Sequence, residues 1–329
     1  MDLDGDGHLD VVTADDDGAI KFYRGTGRRV FEAPIAFPVI PSDLDFLAVG
    51  HLDGDGHLDI ATTRMDSDPY ILLSTGPATF GPAIKLLNVG TQTPPLPRSG
   101  WDIDIVDLDV DGSPDVVTTD AEYARFDVYW GDGSGSFGPA VALHVPGQPV
   151  TTVFGDFNED GRPDAVVANL KVSATLIPMG ADRLLQTPLA ITAFDAWEAA
   201  IGDFNRDGHL DVAFPEQAKG DVIVRLGDGK GGLSVPTTKP PALEKGLWSI
   251  AIADFDGDGF PDLAVGNGDK KDVAFLRGDG TGKFGTATHV ATAWSARNLD
   301  AGDLDHDGFA DLVAPEWDQG FTVIFGPCP

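Results

Sequence analysis

Seven near-copies of one acidic nine-residue motif, spaced about fifty residues apart, restrict this chain to a repeat architecture. The motif reads Asp-x-Asp/Asn-x-Asp-Gly-x-x-Asp and starts at residues 2, 51, 107, 156, 203, 254 and 303 of 329. The intervals are 49, 56, 49, 47, 51 and 49 residues. A period of that length holds one supersecondary unit, which buries its apolar side only by stacking on neighbours. The repeat around Asp254 shows the unit. "WSIAIADF" alternates into the motif, "DLAVGN" leaves it, "DVAFLRG" follows, and the turn "DGTGKFG" leads to "TATHVAT". Four short strands separated by Gly- and Asp-rich turns read as a propeller blade. The turn recurs as "STGPATFGPA" at 74–83, "GDGSGSFGPA" at 131–140 and "GDGKGGLSVP" at 227–236. No segment carries a helical period.

The expected fold is therefore all-β, a single domain over 1–329 forming a seven-bladed β-propeller of four-stranded blades. The first copy has no strand ahead of it, and the seventh stops at "FTVIFGPCP". The first and last blades are each expected to be one strand short, giving 26 strands and an edge that is frayed or covered. This favours a segment of a longer protein, whose other domains are candidate partners and whose preceding residues supplied a leader.

The motif, the Phe-Gly turn and the repeat length resemble the FG-GAP/VCBS repeat family over essentially the whole chain. That resemblance implies the fold of the integrin α-subunit head, shared with many secreted bacterial proteins. It also implies that the acidic loop lies between the first two strands of each blade, and that the protein is secreted or at the cell surface.

The acidic loops suit a hard cation. Ca²⁺ takes about six to eight oxygen ligands, and alternate positions 1, 3 and 5 of a tight loop present oxygens inward. Gly at position 6 permits the turn, position 7 offers its carbonyl, and Asp at position 9 closes the shell. The candidate ligands are Asp2, Asp4, Asp6 and Asp10 in the first copy and Asp53, Asp55 and Asp59 in the second. The third supplies Asp107, Asp109, Asp111 and Asp115, and the fourth Asp156, Asn158, Asp160 and Asp164. The fifth supplies Asp203, Asn205, Asp207 and Asp211, the sixth Asp254, Asp256, Asp258 and Asp262, and the seventh Asp303, Asp305, Asp307 and Asp311. A solvated Asp-Gly turn is the alternative, but clustered carboxylates repel unless a cation neutralises them. Up to seven Ca²⁺ are expected. His51 replaces Asp at position 1 of the second copy, and imidazole suits softer metals, so this site is expected to be the weakest or closed by water.

Net charge is −31, from 53 acidic and 22 basic residues. Such a surface repels phosphate backbones and anionic membranes, so nucleic acid is excluded as a partner. No apolar run is long enough for a membrane helix. The single cysteine, Cys328, permits no intramolecular disulfide.

Propeller strand order puts the acidic loops and Phe-Gly turns at one end of the blades and the remaining loops at the other. The second end is richer in recognition chemistry. Trp101, Trp197, Trp248 and Arg297 stand six residues ahead of a motif, and Arg64, Tyr123, Trp294 and Trp317 fall in loops there. Indole rings offer a flat apolar surface with a donor, suited to sugars and peptide side chains; core packing is the alternative. The leading reading is a calcium-stabilised binding module for carbohydrate or protein. The same propeller could instead carry a sugar-acting lyase or dehydratase, although no convergent acid–base set is apparent. A structural repeat domain of a surface protein is the third reading.

Overall fold

Hydrophobic alternation on either side of each motif becomes antiparallel pairing. In the computed structural model, which describes residues 1–15, 18–39, 44–64, 68–87, 100–171, 173–193, 195–236, 238–293, 295–316 and 320–327, no helix is present. The described strands form seven sheets, one per repeat, and the fold is a seven-bladed β-propeller. The first sheet has three strands (Val11–Ala14, Ala19–Tyr23, Ile35–Pro38), and so does the seventh (Asp300–Gly302, Asp311–Glu316, Gly320–Ile324). The other five have four, so the count read from the sequence holds. A two-stranded ribbon, Ser74–Gly76 with Thr79–Phe80, is added in the turn of the second repeat.

Two compact units divide the chain. One comprises residues 1–152 with 179–186, the other 153–178 with 187–329. The first three blades lie in the former and the last three in the latter. The strands of blade four group mainly with the second unit, and its turn at 179–186 with the first.

Within a blade the register places the acidic loop. Ala253 pairs with Asp262, Val106 with Asp115 and Gly202 with Asp211, so each motif is the connection between strands one and two, and its last Asp opens strand two. Second strands such as Asp115–Asp120 and Asp262–Asn267 are buried throughout, because both sides are covered. Outer strands such as Val141–His144 and Thr288–Ala291 are largely exposed.

The cores lie between adjacent blades. Val222 and Val224 of blade five pack with Leu247, Ile250 and Leu263 of blade six. Fully burying a side chain such as Leu263 stabilises by about 1.5–3 kcal/mol. Phe284, from the Phe-Gly turn of blade six, meets Phe204 of the blade-five motif edge-on, with centroids 5.6 Å apart. The turns also dock by backbone: the Gly282 N–H donates to the Phe204 carbonyl, Gly231 to Phe157 and Gly135 to Leu52. Each turn thus fastens the acidic loop of the preceding blade. Gly131 and Gly278 stand where the turn closes on its own loop, and a Cβ there would lie 2.1 Å from the carbonyl oxygen of Pro114 or Pro261.

Candidate functional site

Each acidic loop is held open by its own backbone. In the first, Asp2 Oδ1 accepts from the Asp6 N–H and Oδ2 from the Gly7 N–H, while Asp4 Oδ1 also accepts from Asp6 and Asp6 Oδ1 from His8. The same set recurs around Asp107, Asp254 and Asp303. These bonds fix the carboxylates at positions 1, 3 and 5 on the loop's own backbone, but the position-5 carboxylate joins the acidic cluster only in the first loop; elsewhere the cluster is made by positions 1, 3 and 9. Four groups bring three acidic oxygens within 4.8 Å of one another: Asp2/Asp4/Asp6, Asp107/Asp109/Asp115, Asp254/Asp256/Asp262 and Asp303/Asp305/Asp311.

Asp at position 9 has a second task. Asp262 Oδ2 accepts from the Phe255 N–H at 3.0 Å, and Oδ1 from Gly278 at 2.8 Å. Asp10, Asp59, Asp115, Asp211 and Asp311 repeat this bridge between loop and turn. In the fourth repeat Asp164 accepts from the Phe157 N–H and from the Asn158 side-chain amide. Burial pushes Asp10, Asp59 and Asp311 up, Asp115 to about 7 and Asp211 and Asp262 to about 6.

The fourth and fifth loops carry Asn at position 3. Asn158 and Asn205 still accept the position-5 N–H through Oδ1, so an oxygen remains in place with one charge fewer. In the second loop His51 Nδ1 lies 2.7 Å from the carbonyl oxygen of His57 at position 7. A ring N–H directed at that carbonyl ties it up.

At the opposite end of the blades the second unit builds an aromatic stack. Trp197 and Trp248 have ring centroids 4.6 Å apart at 39°, and the Arg297 guanidinium lies 4.4 Å from the Trp248 centroid. The common position six residues ahead of the motif aligns them, since it starts the inner edge of blades five, six and seven. Trp197 Nε1 donates to Gln217 Oε1 at 3.1 Å. Trp248 Nε1 is buried, with no acceptor among the described residues. Its ring edge lies against Gly268, where a Cβ would fall 2.7 Å from Trp248 Cδ1. Trp101, Arg64 and Tyr123 belong to the first unit and are half-buried. Trp294 and Trp317 lie outside the described residues, as does Cys328.

Two features escaped the sequence reading. Asp102 and Asp104 share a hydrogen bond in the inner strand Gly100–Val106, and burial pushes Asp102 up to about 7. Asp102 Oδ2 accepts the Thr152 N–H at 2.6 Å, and Glu198 Oε2 does the same for Ile250 at 2.8 Å. Both acids stand five residues ahead of a motif and satisfy a backbone donor of the next blade's inner strand. The alternation of "WDIDIV" was the available signal, since it puts Asp102 and Asp104 on one side of the strand. The second feature is a cleft of about 560 Å³ at the acidic-loop end of blade three, lined by Asp111, Ser113, Trp130, Asp132, Pro139 and Arg183 among others.

The sequence matches the family model described as an FG-GAP-like repeat over residues 2–62, 51–118, 107–167, 203–265 and 254–314. It is 30% identical to integrin alpha-PS5 of Drosophila melanogaster over 158 residues, 38% of this chain and 16% of that protein. It is 28% identical to integrin alpha-6 of Homo sapiens over 176 residues, 51% of this chain and 12% of that protein. The chain therefore spans less than a fifth of either relative's length. Among solved structures, the BP39L lectin from Burkholderia pseudomallei matches with a TM-score of 0.76 at 14% identity, covering 99% of this chain and 94% of that one. At that identity the likeness is one of fold.

Proposed function

The chain belongs to the FG-GAP-like repeat family, and from that premise we propose that it is a secreted or cell-surface binding propeller, stabilised by Ca²⁺, which recognises a carbohydrate or protein ligand. The family and the integrin relatives support a binding or adhesion role, and the lectin neighbour supports carbohydrate among the ligand classes.

The loops fit a hard divalent cation by the chemistry of their donors. Three clustered carboxylate oxygens, a position-7 backbone carbonyl and no sulfur ligand make an all-oxygen set. Asp107, Asp109 and Asp115, Asp254, Asp256 and Asp262, and Asp303, Asp305 and Asp311 would hold the ion, as would Asp2, Asp4 and Asp6. Bound there, it supplies positive charge that lets the loop carboxylates stay ionised side by side, so binding energy adds to folding energy.

The observation that carries the ligand reading is the Trp197–Trp248–Arg297 stack. A half-buried indole pair costs solvation and side-chain freedom, and the Arg297 guanidinium 4.4 Å from the Trp248 centroid adds a cation to the aromatic surface. A glycan array probed with the intact chain tests this reading. Binding is expected with Ca²⁺, and Trp197→Ala with Trp248→Ala is expected to weaken it about tenfold or more, as for aromatic anchors. Unchanged binding by the double variant, measured by calorimetry, would move the site away from the stack.

A further inference from the structure

The third acidic loop differs from the others in what it faces. One guanidinium bridges its position-3 and position-5 carboxylates: Arg183 Nε lies 2.5 Å from Asp109 Oδ2, and Nη2 lies 2.9 Å from Asp111 Oδ2. Arg183 arrives from the third-to-fourth-strand turn of the next blade, the segment 179–186 that groups with the first unit. It is also held from the side, stacked 5.1 Å from the ring centroid of Trp130, itself only 7% exposed. Asp109 Oδ1 already accepts the Asp111 N–H at 3.2 Å. Oδ2 is therefore the oxygen turned toward a cation, and Arg183 has it.

Other loops show partial versions of this contact. Arg24 pairs with Asp4 Oδ2 in the first loop, and Arg277 Nη1 lies 3.1 Å from Asp256 Oδ2 in the sixth. Each engages a single carboxylate from its own blade. Only the third loop, among the described contacts, has a fork across two carboxylates together with an aromatic platform. Planar two-point pairing of Arg with carboxylates is among the stronger charge-assisted arrangements. The Arg183 side chain is nonetheless 42% exposed. Solvent screening leaves such a pair displaceable by a divalent ion.

Resting on the reading of these loops as cation sites, we propose that Arg183 is the resident cation of the third loop. It neutralises Asp109 and Asp111 and keeps the loop ordered without metal. It must leave both carboxylates before a divalent ion binds there. The third loop then fills after the other loops whose Asp set is complete, and filling it releases the guanidinium into the cleft beside Trp130.

Trp130 makes the test local. The described tryptophans Trp101, Trp197 and Trp248 stand at the far ends of their blades, so indole-sensitised Tb³⁺ emission that depends on Trp130 reports the third loop. The full chain, stripped of metal, is titrated with TbCl₃ as wild type, Arg183→Gln, Arg183→Lys and Trp130→Phe. In wild type a late component is expected, and it is lost in Trp130→Phe. In Arg183→Gln its midpoint moves about tenfold or more to lower Tb³⁺, and in Arg183→Lys, which keeps the charge but not the fork, it moves less. A variant Arg183→Gln that folds only once Tb³⁺ is added, followed by circular dichroism, also supports the proposal. An unchanged midpoint in Arg183→Gln overturns it. So does emission in wild type, Arg183→Gln and Arg183→Lys that is no different from that of Trp130→Phe, while native mass spectrometry counts ions elsewhere. If mass spectrometry finds no ion bound to any loop, the calcium reading itself fails, and the proposal with it.

Discussion

The aspartate at position 9 carries two roles that the motif does not distinguish. Its carboxylate is read from the sequence as a cation ligand, yet both of its oxygens accept backbone N–H groups in six repeats. Asp262 joins the start of its loop at Phe255 to the end of its third strand at Gly278. Removing it leaves two buried donors without an acceptor, at about 1–3 kcal/mol each. Asp262→Ala is therefore expected to cost roughly 2–6 kcal/mol of stability, measured by denaturant unfolding with Ca²⁺ absent so that no metal contribution is mixed in. A loss below about 1 kcal/mol would show that the N–H groups find other partners. Asp102 and Glu198 act by the same physics, each satisfying one donor on a strand edge that has no further strand to pair with.

At the scale of the element, the unit is a loop, a turn and the glycine between them. Seven loops share one backbone pattern, but their inward groups differ. Four have a complete Asp cluster, two have Asn at position 3, and one has His51 at position 1. The second loop is the sharpest departure, because the imidazole sits on the position-7 carbonyl. His51→Asp restores a carboxylate to the place where Asp2 and Asp107 bind the position-5 and position-6 N–H groups, and it frees the carbonyl. The variant is expected to bind one more divalent ion than wild type, counted by native mass spectrometry at saturating Ca²⁺. An unchanged count would mean that the loop is closed to metal by something other than His51.

At the scale of the molecule, 53 acidic residues against 22 basic ones leave −31, and the buried position-9 carboxyls set how that charge responds to pH. Burial raises Asp115 to about 7 and Asp211 and Asp262 to about 6, and raises Asp10, Asp59 and Asp311 as well. An unfolded Asp titrates near about 3.9. Between about pH 4 and 7 the folded chain thus holds more protons than the unfolded chain, and stability falls as pH rises. The metal-free protein is expected to melt at a lower temperature at pH 7.5 than at pH 5, and Ca²⁺ is expected to restore most of the loss at pH 7.5 by binding only the folded loops. Calorimetric melts in EDTA and in Ca²⁺ at both pH values check this. A metal-free melt that rises from pH 5 to 7.5 would show that the carboxyls are not penalised by burial.

The sequence by itself determined the period, the blade count and the missing strand in the first and last blades, while the place of the acidic loop came from the family resemblance. The first three follow from local pattern: alternation, turn residues and a motif repeated at near-constant spacing are written along the chain. The shared position of Trp197, Trp248 and Arg297 ahead of their motifs was legible for the same reason. Tertiary structure decided what touches what across blades. That Trp248 lies between Trp197 and Arg297, that Asp102 reaches Thr152, and that Arg183 bridges Asp109 and Asp111 over 70 residues upstream all depend on adjacent blades meeting at fixed register. Side-chain contacts between repeats leave no periodic trace in the chain, because each involves one particular pair. Position 3 of the third loop looks the same in sequence whether a metal ion or Arg183 faces it.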